Sequence, residues 1–318
     1  MNRRALLTAT VGLLASPGIT PALAQRKAVR IIVAFAPGGP VDSVARVIAG
    51  PLGEALGRTV IVENKPGANG VLGAQEVLRA PPDGATLWLT SVGAAAINPS
   101  LYDHLSYDMM RDFAPVSLVV NNVEVLVVRD DNPARNAAEF VANARAASDT
   151  PMASSGVGSV PHLAIEQLGS ATGASFLHVP YKGAAPALTD LMGGRVAGFF
   201  GDVPGLIGFV KSGRLRAIGV AATHRHPSLP DVPTFQEQGL GGVDTNNWYA
   251  IFVNAKTSPD IIAKLDQAIR TALQSSAETL LAMGTEAAPS TPSELAALLK
   301  SDADKWGALI KAKGVKGE

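Results

Sequence analysis

The chain has 318 residues, enough for one or two domains with a substantial core. Its 27 basic and 27 acidic side chains cancel and aromatics make up only 5%, so it has neither the charge excess nor the interleaved rings of a nucleic-acid binder. Cysteine is absent, which removes disulfide, iron–sulfur, thiolate-zinc and cysteine-nucleophile chemistry.

Residues 1–24 start with Arg3 and Arg4, continue through an apolar stretch and a Pro/Gly break, and end in Ala22-Leu23-Ala24. That order is the pattern of an export signal, with cleavage expected after Ala24. The apolar run from Ala5 to Ser16 is too short to span about 30 Å of hydrocarbon, which argues against a membrane anchor. Both the general secretory and the twin-arginine route are open to it. Cleavage removes two of the 27 basic residues and none of the acidic ones, leaving a nearly neutral mature protein.

Strand and helix signals then alternate. Residues 28–35 (AVRIIVAF) read as a strand and 41–57 as a helix that Pro51 should kink or break. A strand over 59–64, a KPGANG loop, a helix over 71–80 and a third strand over 85–91 follow. The segment 113–133 is different, a long β-rich run with no helix inside it. Beyond it come helix 136–147, strand 151–155, helix 161–172, strand 175–180, helix 185–193, strand 195–201, helix 203–211 and strand 214–221. A Pro-rich surface passage leads to another strand near 246–254, and helices over 258–283 and 291–313 close the chain.

Repeated strand–helix–strand units imply a largely parallel sheet covered on both faces. The two long β passages bracket a self-contained α/β block, so the expected fold is α/β with two lobes and a chain that crosses between them twice. One lobe takes 26–120 plus 246–318 and the other 125–243. A single doubly wound domain is the competing arrangement.

Three strand-to-helix loops share one design. FAPGGPVDSVAR (35–46), SSGVGSVPHLA (154–164) and HVPYKGAAPALTDLM (178–192) each pass from a strand through Gly and Pro into a helix. Ser154, Ser155 and Ser159 add hydroxyls, and Gly156 and Gly158 let backbone come close to a ligand. Helix starts leave N–H groups unpaired and carry about half a positive charge, so a carboxylate gains roughly 0.3–2 kcal/mol at each. Such loops gather at the carboxyl ends of parallel strands, where they can face one another across a cleft.

Rival chemistries lack their motifs. There is no G-x-x-x-x-G-K-[ST], no third glycine for a dinucleotide fingerprint and no G-x-S-x-G elbow. Ser155, Ser159 and His162 lie close in sequence, but Ser159 and His162 straddle a helix start, where Ser caps. His224 and His226 have the spacing of a strand metal pair, yet they sit in an expected exposed loop without a third ligand, so neither a metal nor a cofactor is expected. Asp42 in the first helical turn either caps free N–H groups or accepts from a ligand amine or hydroxyl. Asp202, at another strand end, suits a ligand hydroxyl, water or amine, or caps the next helix. Tyr181 either closes over a ligand or packs, and Lys182 pairs with a ligand carboxylate or points to solvent.

At this point the sequence resembles the Bug/TctC-like extracytoplasmic solute receptors of tripartite tricarboxylate transporters. The matching pieces are FAPGGPVDSVAR, VENKPGANGVLGAQEV, PDGATLWL, YDMMRDFAPVSLV, SSGVGSVPHLA, HVPYKGAAPALTDLMGGRV and LPDVPTFQEQGL, which together run the length of the mature chain. The resemblance implies a periplasmic-binding-protein fold of type II, with two α/β lobes closing on a small organic acid, a di- or tricarboxylate or other carboxylate, that backbone amides and waters hold. It places first-lobe contacts at Gly38, Gly39, Pro40, Val41 and Asp42, with Ala94 beside them. Second-lobe contacts fall at Ser155, Gly156, Ser159, His162, Tyr181 and Asp202. It also implies a periplasmic monomer that delivers its ligand to integral-membrane permease subunits and has no catalytic residues. Val157 departs from the family pattern, since many members have a polar residue there; this points to a less polar ligand portion. A sensor presenting its closed form to a membrane kinase is the alternative use of the same lobes, and a periplasmic hydrolase would need a reactive serine.

Overall fold

The computed structural model describes residues 27–147 and 149–317. The expected export signal, with Arg3, Arg4 and the cleavage point after Ala24, lies outside the described residues.

The first α/β units follow the sequence reading closely. They are β1 (Val29–Val33), α1 (Pro40–Leu56), β2 (Val60–Asn64), α2 (Val71–Arg79) and β3 (Thr86–Ser91). β1 lies between β2 and β3, parallel to both, and Val29, Ile31, Ile32 and Val33 are fully buried, as a strand covered on both faces requires. A π-helical turn over Gly93–Ile97, buried throughout, leads into α3 (Asn98–Leu101) and α4 (Met109–Asp112).

Pro51 does not break α1, which runs on to Leu56 and ends at Gly57 in the left-handed region, φ 59°. The long α9 (Pro259–Ala282) packs along this helix, and Val44, Ala45, Ile48 and Leu52 share a core with Leu265, Ala268, Ile269 and Ala272. That burial outweighs the one backbone bond a proline removes.

β4 (Phe113–Arg129) is one strand of 17 residues with two sets of neighbours. Phe113–Val123 pair antiparallel with β9 (Asn246–Asn254), which itself pairs with β3. Glu124–Val127 pair antiparallel with β7 (Gly198–Asp202), and Val125–Arg129 with β8 (Leu215–Val220). Between these strands lie α5 (Ala137–Ala146), β5 (Thr150–Ser154), α6 (Val160–Thr172), β6 (Phe176–Pro180), α7 (Ala184–Met192) and α8 (Val203–Lys211). β5 runs parallel to β6 and to β7. Two residues of β10 (Glu286–Ala287) add to the first half of β4, and α10 (Pro292–Lys313) closes the chain behind a Thr291–Glu294 capping box.

The result is two α/β lobes strung on β4. The strand path is β2-β1-β3-β9-β4-β7-β5-β6, with β8 and β10 also pairing with β4. The backbone crosses between lobes a second time at Thr245, whose N–H donates to Ala221 and whose carbonyl accepts from Glu124. The Pro-rich passage 225–242, expected at the surface, contains residues that are not: His226, Thr234 and Phe235 are buried, and Gln238 donates to the carbonyls of Ile218, Pro233 and Thr234.

α10 is anchored by a buried polar contact as well as by apolar packing. The Trp248 indole N–H on β9 donates to Asp302 Oδ2 at 2.6 Å, inside a core that includes Leu295, Leu299, Trp306 and Ile310. Asp302→Ala leaves that N–H unpaired, so it should cost about 1–3 kcal/mol. Urea unfolding at an unchanged m-value checks this, and Asp302→Asn, which keeps an acceptor, should lose less.

Candidate functional site

The loops at the carboxyl ends of the strands converge on a cleft of about 410 Å³ between the lobes. From the first lobe it is lined by Phe35, Gly39, Pro40, Val41, Asn69, Ser91 and Gly93. From the second come Ser155, Ser159, Val160, Pro161, Gly183, Ala184, Leu188, Phe199, Gly201, Asp202, Gly205 and Leu206, with Glu124, Asn247 and Tyr249 where the strands cross. Four helices therefore start at this wall: α1 at Pro40, α6 at Val160, α7 at Ala184 and α8 at Val203. The aligned dipoles, and those first-turn amides that neither a proline removes nor a cap takes up, make the rim favourable to an anion. No Lys, Arg or His is among the lining residues.

Hydrogen bonds built into the loops hold these helix starts in place. Asp42 is buried; its Oδ2 accepts from Gly38 N and Arg46 Nε, both at 2.9 Å, and its Oδ1 from Asn64 Nδ2 at 2.9 Å. Burial opposes its charge, but Arg46, the Gly38 amide and Asn64 outweigh it and hold Asp42 below the usual carboxylate range. Asp42 thus fastens the Gly38–Gly39 turn from behind, and the Gly38 N–H faces Asp42, away from the cleft. In the second lobe Ser159 Oγ donates to Gly156 O at 2.7 Å and accepts from His162 N at 3.3 Å, capping α6. Gly156 sits at φ 137°, and the Gly158 N–H donates to His162 Nδ1 at 3.0 Å.

His162 lies behind the cleft wall. Its ring stacks on His178 with centroids 3.6 Å apart, and burial pushes both imidazoles down to about 4, so they are neutral at physiological pH. His178 Nε2 pairs with Ser154 Oγ at 2.6 Å, and Ser154 is fully buried, so this serine–histidine contact ties β5 to β6 away from any substrate. Tyr181 is also outside the lining, its hydroxyl donating to Asp190 Oδ2 at 2.8 Å, and Lys182 is exposed. Ala94 is buried behind Gly93, with its carbonyl accepting from the Tyr107 hydroxyl. Of the twelve residues singled out from the sequence, Gly39, Pro40, Val41, Ser155, Ser159 and Asp202 come together on the cleft wall. Gly38, Asp42, Ala94, Gly156, His162 and Tyr181 stand behind or beside it.

The floor holds groups that motif reasoning passed over. Glu124 is 1% exposed, and Asn247 Nδ2 donates to its Oε1 at 3.3 Å. The Tyr249 hydroxyl donates to Asp202 Oδ2 at 2.8 Å. Burial and the nearby Asp202 push Glu124 well above the usual carboxylate range; burial raises Asp202 too, against the Tyr249 hydrogen bond. The signal for Glu124 was a lone acid in the apolar run VEVLVV, where an unpaired charge is costly. Asn69, at φ 47° and hydrogen-bonded to Asn98, lies in the KPGANG stretch, which was read as a loop without a ligand role. His224 is exposed while His226 is buried 3.6 Å from Glu286, so the two do not share one environment.

Comparison with known proteins places this cleft in a family. The model for the tripartite tricarboxylate transporter family receptor, TctC, matches residues 44–315. The chain belongs to that family. It is 32% identical to the protein BugT of Bordetella pertussis over 324 residues, 99% of each chain. The structure of the periplasmic binding protein BugD is similar with TM-score 0.78 and 32% identity, over 92% of this chain and 99% of that one. That of R. palustris Rpa4515 with adipate is similar with TM-score 0.83 and 29% identity, over 91% and 98%.

Two measurements probe the receptor's cleft. A Cβ on Gly39 would come no nearer than 3.4 Å to Ala36 O, and its φ of −78° suits any residue. Gly39→Val should therefore keep the thermal stability of the wild type and lose ligand affinity at least tenfold by calorimetry. For Glu124 the raised folded-state value means that the folded protein holds a proton which the unfolded chain releases above its ordinary value of 4.5. Stability should then fall as pH climbs from that value toward the raised one. In Glu124→Gln this part of the slope should vanish, so its Tm relative to wild type should rise between pH 5 and pH 7.

Proposed function

We propose that this protein is a periplasmic receptor that captures a small organic carboxylate between its lobes and delivers it to the permease subunits of a tripartite tricarboxylate-type transporter. The observation that carries the reading is a cleft on which four helix N-termini converge and no cationic side chain intrudes. An anion there is held by backbone amides and helix dipoles. Each charge-assisted hydrogen bond contributes roughly 1.5–3 kcal/mol, and a few of them approach the −8.2 kcal/mol of micromolar binding after ordering costs. The adipate held by the related R. palustris protein supports a carboxylate as the ligand class. The export-signal pattern of residues 1–24 supports export, and no helix of the described residues is long and apolar enough to cross a membrane.

We further propose lobe limits of 26–120 plus 246–318 and 125–243. The change of β4 partners at Val123–Glu124 supports the first crossing, and the backbone bonds of Thr245 support the second. A hydrolytic role gains no support from Ser159, whose Oγ caps a helix, or from the Ser154–His178 pair, whose serine is fully buried while Ser155 is the one on the cleft wall.

Calorimetry against mono-, di- and tricarboxylates, followed by small-angle scattering with those that bind, tests the receptor. A carboxylate that binds should reduce the radius of gyration as the lobes close. Binding without any compaction would overturn the trap mechanism.

A further inference from the structure

Two carboxyl groups meet on the floor of the cleft, at the point where β4 passes from one lobe to the other. Glu124 and Asp202 are direct partners in the β4–β7 register, which puts their Cβ atoms about 4.5–5.5 Å apart. Glu124 is 1% exposed, and its Oε2, though buried, has no hydrogen-bond partner in the protein. The groups facing the pair are Tyr249 and Asn247 on β9, Asn122 on β4 and the first turn of α8, which starts at Asp202 and whose Gly205 backbone favours the Asp202 charge; none of them is a cationic side chain. Lys, Arg and His are missing from the cleft lining altogether.

Two ionised carboxylates cannot share such a place without a counter-charge; one retains a proton. Asp202, which accepts from the Tyr249 hydroxyl, is the better anion of the two. Glu124, with a buried oxygen that nothing else satisfies, is the better acid. The cleft is therefore polarised: the starts of α1, α6 and α7 favour negative charge at the rim, and a single carboxylate charge sits at the floor, where Asp202 begins α8.

Resting on the receptor reading above, we propose that the Glu124–Asp202 pair determines specificity at the deep end of the ligand. It accepts a hydrogen-bond donor there, a hydroxyl or an ammonium group, and turns away a second ionised carboxylate. The preferred ligand then has one carboxylate at the helix termini and a donor at its other end. Burial drives Glu124 toward its neutral form, in keeping with a floor that carries one charge and not two. The same single charge persists in Glu124→Gln, whose amide mimics the protonated acid, and disappears only when Asp202 is neutralised as well.

Isothermal titration calorimetry at pH 7 tests this with matched trios of straight-chain acids of four, five and six carbons. Each trio contains the ω-hydroxy acid, the ω-amino acid and the α,ω-dicarboxylate. At the chain length that binds tightest, the hydroxy or amino acid should exceed the dicarboxylate at least tenfold. The isosteric Glu124→Gln/Asp202→Asn double variant should reduce that ratio at least tenfold. A dicarboxylate that binds the wild type as tightly as its partners would overturn the proposal, whether or not the double variant folds. A preference that survives in a folded double variant would overturn it too. If carboxylates bind without discrimination, only the role of the acid pair falls; if no carboxylate of the wider panel binds, the receptor reading falls and takes this inference with it.

Discussion

A buried strand must pair the polar groups on both of its edges, and in this protein one strand meets that requirement with two different sheets. Along the first half of β4 the partners are β9 and β10, and along the second half they are β7 and β8. The change of partners at Glu124 sets where the lobes separate. It also sets what stands between them, because Glu124 at the change-over lines the cleft while Val123 and Val125 on either side of it pack into a hydrophobic core. Cleft, floor and crossing all follow from that single exchange of hydrogen bonds.

The electrostatics of the cleft come from backbone at the rim and from side chains at the floor. The α1, α6, α7 and α8 starts point at it with proline early in three of them, which removes donors but presets the helical turn. Polar residues near these turns work mostly as scaffolding. Asp42 braces the first loop through three hydrogen bonds, and Ser159 and His162 brace the second. Tying the loops down in advance reduces the ordering that a ligand would otherwise have to impose.

Much of this was legible in the residues. Every strand–helix unit with a clear period, from Val29 to Arg79 and from Ala137 to Val220, lies within a few residues of where its periodicity placed it. Those signals are local: alternation, apolar spacing, and Gly or Pro at the turns. The misreadings came where distant packing overrode a local rule. Pro51, expected to kink or break its helix, stays inside an intact one because α9 lies along it. His226 was expected in an exposed loop; the loop is there, but the side chain is buried beside Glu286, a neighbour sixty residues away in sequence.

The site divides along the same line. Gly39, Pro40, Ser155 and Ser159 could be found from sequence because a strand-to-helix turn has a composition of its own, set by the backbone angles it needs. Whether a polar side chain near such a turn faces the ligand or the scaffold depends on which partners tertiary packing supplies, and for Asp42, His162 and Tyr181 those partners are in the protein. Glu124 depends on packing most of all. Its neighbours Asp202 and Asn247 are 78 and 123 positions away, and only the pairing of β4 with β7 and β9 brings them to it. The sequence by itself determined the α/β alternation and the Gly- and Pro-bearing turns that carry each strand into the next helix. The tertiary structure alone decided which charge lies beneath them, because burial and cross-strand register are properties of no single segment.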